Sequence, residues 1–302
     1  MYKEKGWCDM KTKEDMVSEL NRIEDFIQSY VLMDEKVVIP VSGGLDSDVV
    51  ARLCHKVLGK ERIHLFTVKQ PSMEEKYLEN VKNLGIDLGV SPVIVCPGNM
   101  NVQIIQILSA ADPEIGFQPE ALLDPARANC SLRTSFLSTY QDKGFLIASN
   151  SNLSEIQLGF YMPFGDNLGH FKPIAHLYKS EVRILADILG TRKEVIDQAP
   201  SAGFWEGEED LEDLAFWLYY GGPIPAGKEF SDQECEKVMK IKAELSQFGV
   251  DCCLEMLSNG DLDEEIVKAT GLRDEIVQAI KNTVDRSARL KNRVLLSRLE
   301  RR

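Results

Sequence analysis

The sequence has no hydrophobic run long enough to cross a membrane. Residues 1–13 mix charges with Trp7 and Cys8 where a secretion signal would have an apolar segment. A basic excess is also absent: acids outnumber bases by 48 to 35, for a net charge of −13. Such a charge argues against bulk binding to nucleic acid or anionic membranes. We therefore expect a cytoplasmic protein with neither a membrane nor a nucleic acid as its partner.

Paired cysteine spacing is absent as well. The seven cysteines form no Cys-x-x-Cys motif, and no histidine stands at metal-ligand spacing from them. A structural zinc site is therefore not expected. An odd number of cysteines without paired spacing is typical of free thiols in a reducing compartment.

The most informative segment that is present covers residues 37–47, VVIPVSGGLDS. A short apolar strand enters two glycines flanked by hydroxyls, and a helix follows. Backbone N–H groups of such a turn can converge on one point, where the positive end of the helix dipole adds to them. The segment predicts a phosphate-binding loop; a plain strand-to-helix turn is the alternative. The predicted loop residues are Ser42, Gly43, Gly44, Leu45, Asp46 and Ser47.

This loop differs from the Gly-x-x-x-x-Gly-Lys-Ser/Thr loop of common NTPases. No lysine follows its glycines, and Asp46 stands where that loop has its cation. A carboxylate beside bound phosphates is tolerated with a metal between them, so Asp46 implies Mg²⁺. The loop resembles that of the ATP pyrophosphatases, which cleave ATP between the α- and β-phosphates to adenylate a substrate. The resemblance implies ATP and Mg²⁺ as cofactors.

Strands and helices alternate through the first half of the chain. This pattern predicts an α/β, doubly wound parallel sheet of the adenine nucleotide α-hydrolase type, with ligands past the carboxyl ends of its strands. Beyond about residue 200 we find no strand signal and expect a helical C-terminal portion. We expect a synthetase domain over 1–210 and a helical extension over 211–302. The predicted strands are 37–41, 63–68, 92–96 and 144–148, and the predicted C-terminal helices are 211–220, 232–248, 263–270 and 272–299.

Four later segments supply groups that ATP cleavage requires: a metal, a cation and a held nucleophile. A polar run with Glu155 follows the last predicted strand, and an aromatic segment then ends in Asp166. Lys179 opens a predicted helix, and a Pro-Ser-Ala sequence contains Ser201. Each group taken singly is typical of a solvated surface or a plain turn. Their order along the chain is more specific.

That order resembles the motif series of NAD synthetases over residues 23–214. In that family ATP adenylates the nicotinate carboxylate of deamido-NAD, and ammonia displaces AMP to form the amide. The resemblance implies catalytic roles for Asp46 and Lys179 and a magnesium site at Asp46 and Glu155. It also implies that ATP contacts the loop residues, Val68, Lys179 and Ser201, and that the acceptor contacts Arg133, Asn150, Phe160 and Asp166.

The departures from the family pattern lie on the acceptor side. The family has Ala-Arg-x-Arg-Met where this chain has Cys130-Ser131-Leu132-Arg133-Thr134, so only the second arginine is kept. An adenylating enzyme for a different acid therefore stays an alternative. So does sulfur transfer, in which a Cys130 thiolate attacks the adenylated carbon. A nucleotide-binding regulatory module without turnover is the third, although binding alone does not require two metal acids.

The expected partners follow from the same resemblance. A built-in glutaminase would need a further domain, so we expect free ammonia or a separate glutaminase subunit as the nitrogen source. The family binds deamido-NAD at a dimer interface, which implies a homodimer. Leu132, Phe136 and Leu137 can form one apolar stripe for that interface, with Arg133 reaching the acceptor. The alternative is that this stripe packs on its own sheet.

Overall fold

The structure is a computed structural model that describes residues 8–70, 73–162, 165, 168–199, 209–224, 228 and 230–291. Within these residues a sheet of four parallel strands has the order β3-β2-β1-β4. The predicted doubly wound parallel sheet is therefore confirmed. The strands are β1 (Lys36–Pro40), β2 (Ile63–Val68), β3 (Val93–Val95) and β4 (Phe145–Ile147).

The strand order determines where a ligand site can form. From β1 the chain winds outward through β2 to β3 and then returns to place β4 on the other side of β1. Val38 of β1 consequently pairs with His64 on one side and Ile147 on the other. The loops after β1 and β4 leave the sheet side by side at this reversal, which is the crevice where doubly wound sheets bind ligands.

Alternate residues of the strands face two different cores, as the period of two in a strand requires. Val37 and Ile39 face the first core, and Val38 faces the second together with Phe66. Helices cover both faces, and the middle of β1 and most of β2 are buried between them. The first core is covered by α1 (Lys13–Tyr30), α2 (Leu45–Leu58), α3 (Glu75–Leu88), α7 (Lys179–Ile188) and α8 (Lys193–Ile196), and the second by α5 (Leu123–Gln141), outside which lies α4 (Met100–Ala111).

The apolar stripe of α5 packs on the chain's own sheet. Leu137 is buried against Val38 and Ile147, and Phe136 lies beside them. Our expectation that Phe136 and Leu137 face a partner subunit is therefore wrong. An amphipathic pattern fixes which residues share a face, but it does not say what covers that face.

The C-terminal portion is helical throughout its described residues. The predicted helix over 232–248 is confirmed at its start but wrong at its end, because Leu245 is extended and Ser246 caps a new helix by accepting a hydrogen bond from the Gly249 N–H at 3.1 Å. The predicted helix over 272–299 extends past the described residues. The helices are α9 (Asp210–Tyr220), α10 (Asp232–Glu244), α11 (Gln247–Asn259), α12 (Asp263–Thr270) and α13 (Asp274–Lys291).

These helices share one core with the residues that follow β4. Leu158, at the end of α6 (Leu153–Leu158), and Tyr178, just before α7, are buried among the apolar residues of α9, α11 and α13. The helical portion therefore packs directly behind the site-forming loops. The domain division at residue 210 stays a prediction. In the described part of the chain, none of the helices is both long and apolar enough to cross a membrane.

Candidate active site

The loop after β1 is held in shape by its own hydroxyls. The Ser47 Oγ accepts a hydrogen bond from the Ser42 N–H at 3.1 Å and donates one to the Gly44 carbonyl at 3.0 Å. Gly43 has a φ of +83°, and a Cβ there would collide with the carbonyl oxygen of Tyr77 on α3. Gly44 gives α2 no side-chain cap. The first-turn N–H groups of α2 are thus available to an anion, as a phosphate loop requires.

Asn152, which sequence reasoning missed, joins the two predicted metal acids. It is 1% exposed and caps α6 in a reciprocal capping box with Glu155. Its Nδ2 donates to the Glu155 Oε1 at 2.8 Å and to the Asp46 Oδ1 at 3.3 Å. The Asn-x-x-Glu spacing was visible in the sequence. The link to Asp46 was not, because it depends on the neighbouring positions of β1 and β4.

Lys179 begins α7 and points at the same acids. It is buried, and its Nζ donates to the Asp46 Oδ2. Burial alone would lower the pKa of Lys179, but the negative charges of Asp46, Glu155 and Asp210 raise it above its ordinary value. Lys179 is therefore a fixed positive charge within an acidic cluster. Asp210, at the start of α9, is a further member that sequence reasoning did not assign to the site.

These groups surround a cavity of about 230 Å³ at the crevice between β1 and β4. Gly43 does not line it and supports the loop from behind. The predicted contacts Ser201 and Asp166 lie outside the described residues. The predicted site residues that do line the cavity are Ser42, Gly44, Leu45, Asp46, Ser47, Val68, Arg133, Asn150, Glu155, Phe160 and Lys179.

Two of the predicted acceptor contacts, Asn150 and Phe160, are held in place by neighbouring residues. The Asn150 Nδ2 donates to the Pro40 carbonyl at 2.6 Å, while its buried Oδ1 accepts no hydrogen bond from any described residue. Phe160 stands edge-on to Trp217 of α9, with ring centroids 5.4 Å apart. Asn150 therefore carries a spare acceptor at the cavity, and Phe160 gives the cavity a braced aromatic wall.

Cys130 does not open into the cavity. It is 1% exposed and lies beneath Gly165, where an added Cβ would come within 2.7 Å of the Cys130 Cβ. Among the described residues that line the cavity, Cys130 is absent. This burial is typical of a small core residue and does not favour sulfur transfer.

The donor set fits Mg²⁺. Among the residues described, no three His, Cys, Asp or Glu side chains converge into a complete metal site. Asp46 and Glu155 instead supply carboxylate oxygens that both accept a hydrogen bond from the Asn152 Nδ2. Mg²⁺ prefers oxygen ligands, retains several waters and is typically held by one or two carboxylates together with substrate phosphates.

Comparison with known proteins agrees with this geometry. The sequence model of the NAD synthase family matches residues 19–219. The NH(3)-dependent NAD(+) synthetase of Methanocaldococcus jannaschii is 34% identical over 207 residues, which cover 67% of this chain and 77% of the relative.

Two solved structures share the fold. The NMN synthetase of Francisella tularensis aligns with a TM-score of 0.69 at 19% identity, over 96% of this chain and 100% of that one. The NH3-dependent NAD synthetase of Campylobacter jejuni, solved with a nitrate ion, aligns with a TM-score of 0.64 at 23% identity, over 94% and 98%.

The fold and the acid-bearing phosphate loop define an α/β nucleotide-binding enzyme. The chain belongs to the NAD synthase family. Membership confirms the prediction of a ligase that forms a carbon–nitrogen bond with the use of ATP.

Proposed function

We propose that this chain is an AMP-forming NAD synthetase that converts deamido-NAD and ammonia to NAD through an adenylate. One observation carries the proposal: the phosphate loop, Asp46, Glu155 and Lys179 meet in one cavity at the carboxyl ends of β1 and β4. Adenylation requires these four groups together. The match to NH(3)-dependent relatives supports ammonia as the nitrogen source, delivered free or by a separate glutaminase subunit.

The residues divide the chemistry of the first step between them. The loop N–H groups hold the phosphates of ATP, and Lys179 donates to the oxygens that gain negative charge as the α–β bond breaks. Asp46 and Glu155 hold Mg²⁺, which when bound neutralises part of the pyrophosphate charge. Asn152 keeps the two carboxylates close together by donating a hydrogen bond to each of them.

The acceptor carboxylate is bound where Arg133 and Asn150 line the cavity. Arg133 of α5 supplies the positive charge there, and the Asn150 Oδ1 is a free acceptor for an N–H or O–H of the substrate. Ser131 stands where the family has its first arginine, which favours a second candidate acceptor with fewer phosphates. The Francisella protein of the same fold is named an NMN synthetase, so nicotinate mononucleotide is the acid to compare.

The oligomer and the compartment are part of the same proposal. We infer a homodimer from an exposed apolar stripe on α4. The stripe consists of Met100, Ile104, Ile107 and Leu108, which are spaced at i, i+4, i+7 and i+8. A family-like dimer would place the acceptor partly against the second subunit. Cytoplasmic placement is supported by the free thiols among the described cysteines.

The test is a product assay on the full chain with ATP, Mg²⁺ and ammonium. Deamido-NAD and nicotinate mononucleotide are compared as acceptors, and AMP, pyrophosphate and the amide product are quantified. We expect one AMP per amide, with deamido-NAD giving the higher kcat/KM. If no AMP forms with either acid, the proposal is refuted. A higher kcat/KM for nicotinate mononucleotide would make that acid the acceptor instead of deamido-NAD. Asp46→Asn is the matched inactive control.

A further inference from the structure

Asp251 is a buried acid of α11 that lies outside the family-matched residues and is fully enclosed, at 0% exposure. Its Oδ1 accepts hydrogen bonds from the Ser154 Oγ at 2.6 Å and the Gln247 Nε2 at 2.9 Å. Its Oδ2 accepts one from the Ser180 N–H at 2.8 Å. Burial raises the pKa of Asp251 above its ordinary value, and the three hydrogen bonds that it accepts oppose that rise by favouring the carboxylate.

The hydrogen bonds continue from Asp251 to the backbone of Lys179. The Ser154 Oγ that donates to Asp251 also accepts a hydrogen bond from the Lys179 N–H at 3.0 Å. Asp251 and Ser154 together therefore satisfy the first two N–H groups of α7. A carboxylate at this end of a helix is favourable because it faces the positive end of the helix dipole. The cap comes from α11, some seventy residues further along the chain, and from α6.

We propose that Asp251 is a positioning residue, which holds the start of α7 so that the Lys179 side chain stays on Asp46 and on the phosphates of ATP. This inference rests on the proposed function, which gives Lys179 its role in adenylation. Ser154 directly precedes Glu155, so the same contact also fixes the helix turn that carries the second acid. α11 thus supports the site although none of its residues lines the cavity.

The key variant is Asp251→Asn, which keeps the volume but replaces one acceptor with a donor. The Ser180 N–H cannot reverse its direction, so it fixes the amide oxygen of the new side chain, and the amide nitrogen faces the Ser154 hydroxyl and the Gln247 amide. Both of these groups then have to turn from donating to accepting, and the charged hydrogen bonds that hold Ser154 beside the Lys179 N–H are replaced by neutral ones. Loss of a residue that orients a catalytic group costs roughly 10- to 100-fold in activity. We expect a loss of that size in kcat, with a much smaller change in KM for ATP.

A double-mutant cycle separates positioning from general stability. In a Lys179→Met background Asp251→Asn is expected to lower kcat very little, because the group that it positions is gone. An equal loss in both backgrounds would refute the proposal. Ser154→Ala breaks the same chain of hydrogen bonds and should not add to Asp251→Asn. The matched control is Thr283→Val, since Thr283 is buried on α13 and donates only within its own helix.

A second measurement does not depend on turnover. Trace labelling of the full chain with acetic anhydride reports how often the amine of each lysine is free. We expect labelling of Lys179, relative to exposed Lys82, to rise several-fold in Asp251→Asn and to stay unchanged in Thr283→Val. Unchanged labelling in folded Asp251→Asn protein would overturn the proposal. If wild type makes no AMP with either acceptor, the proposed function fails, whereas the labelling result still decides the role of Asp251.

Discussion

Lys179 and Asp46 form an ion pair between the first turns of α7 and α2, with side chains only 9% and 15% exposed. Both residues line the cavity together with Ser42, Gly44 and Ser47 of the loop after β1, where we propose that ATP binds. Burying a lysine is costly unless opposite charges surround it, and Asp46, Glu155 and Asp210 supply them. The positive charge of Lys179 is therefore in place before ATP binds, and phosphate binding requires no reorganisation free energy to bring it there.

Removal of either metal acid should abolish turnover without unfolding the chain. Asp46→Asn and Glu155→Gln each remove one of the two carboxylates that we propose as Mg²⁺ ligands, and we expect kcat to fall by at least about a hundredfold. Melting temperature and AMP release are measured on the same samples. Glu79→Gln, an exposed acid on α3, is the control and should change neither. Near-normal turnover of either variant at saturating Mg²⁺ would remove these acids from the site.

Lys179→Met should act on the transition state more than on ATP affinity. The charge that Lys179 meets grows as the α–β bond breaks, so we expect a large fall in kcat and a smaller rise in KM for ATP. Steady-state kinetics over a range of ATP concentrations measure both. Lys82→Met changes a half-exposed surface lysine and is the matched control. A variant with normal kcat and raised KM would make Lys179 a binding residue only.

The sheet and the tight turn between β1 and α2 could be predicted because their signals are local. Alternating strands and helices impose parallel pairing, and the loop residues are contiguous in sequence. Asp46, Glu155 and Lys179 could be predicted from motif order. Their connections could not: Asn152 reaches Asp46 across 106 residues, and Asp251 reaches Ser154 across 97. Such contacts depend on how separate elements pack, which no local pattern contains.

The two wrong predictions have physical causes of the same kind. The apolar spacing of residues 232–248 continues through Leu245, so it concealed the break at which Ser246 starts α11. The stripe on α5 was assigned to a partner subunit, although Phe136 and Leu137 cover the sheet. Periodicity identifies an apolar face, and only the assembled fold identifies its partner.

Gly43→Ala should damage the phosphate loop more than an ordinary glycine substitution. A Cβ at residue 43 would be strained by the positive φ and would also collide with the backbone of Tyr77. Gly89→Ala is the matched control, since Gly89 is left-handed but an added Cβ would meet only the Lys60 Cδ, at an ordinary contact distance of 3.9 Å, and we expect it to cost about 1 kcal/mol. Denaturant unfolding and KM for ATP are compared. Equal losses of stability and an unchanged KM would show that the contact with α3 does not shape the loop.

The α4 stripe should be the main apolar contact of the dimer. Ile107 is 68% exposed at its centre, and Ile107→Glu would bury an unpaired charge in the interface. We expect wild type to be a dimer by light scattering at micromolar concentration and the variant to be a monomer. Ile86→Glu on α3 is the control because Ile86 is 73% exposed away from the stripe. A monomeric wild type that retains full activity would contradict the dimer.

Arg52→Met should be one of the most destabilising single charge removals in the described part of the chain. Arg52 is buried between Asp48 and Asp87, at 2.6 and 2.8 Å, so its loss leaves the enclosed Asp48 carboxylate with only the Thr191 hydroxyl. Breaking such a pair costs about 3 kcal/mol.

The pH dependence of that loss follows from Asp87. Hydrogen bonds from Arg192 and from Arg52 hold the pKa of Asp87 below its ordinary value of 3.8. The resulting stability is present above that ordinary value and is lost as the pH falls through the lower, folded value. The part of the Arg52→Met loss that comes from the hydrogen bond between Arg52 and Asp87 should therefore be present at pH 7 and shrink below about pH 4, while the hydrogen bonds from Arg192 to Asp87 remain in the variant. Urea unfolding at several pH values measures it. Lys193→Met, which breaks the exposed pair with Asp197, should cost less than about 1 kcal/mol, and an equal cost for both variants would refute the burial argument.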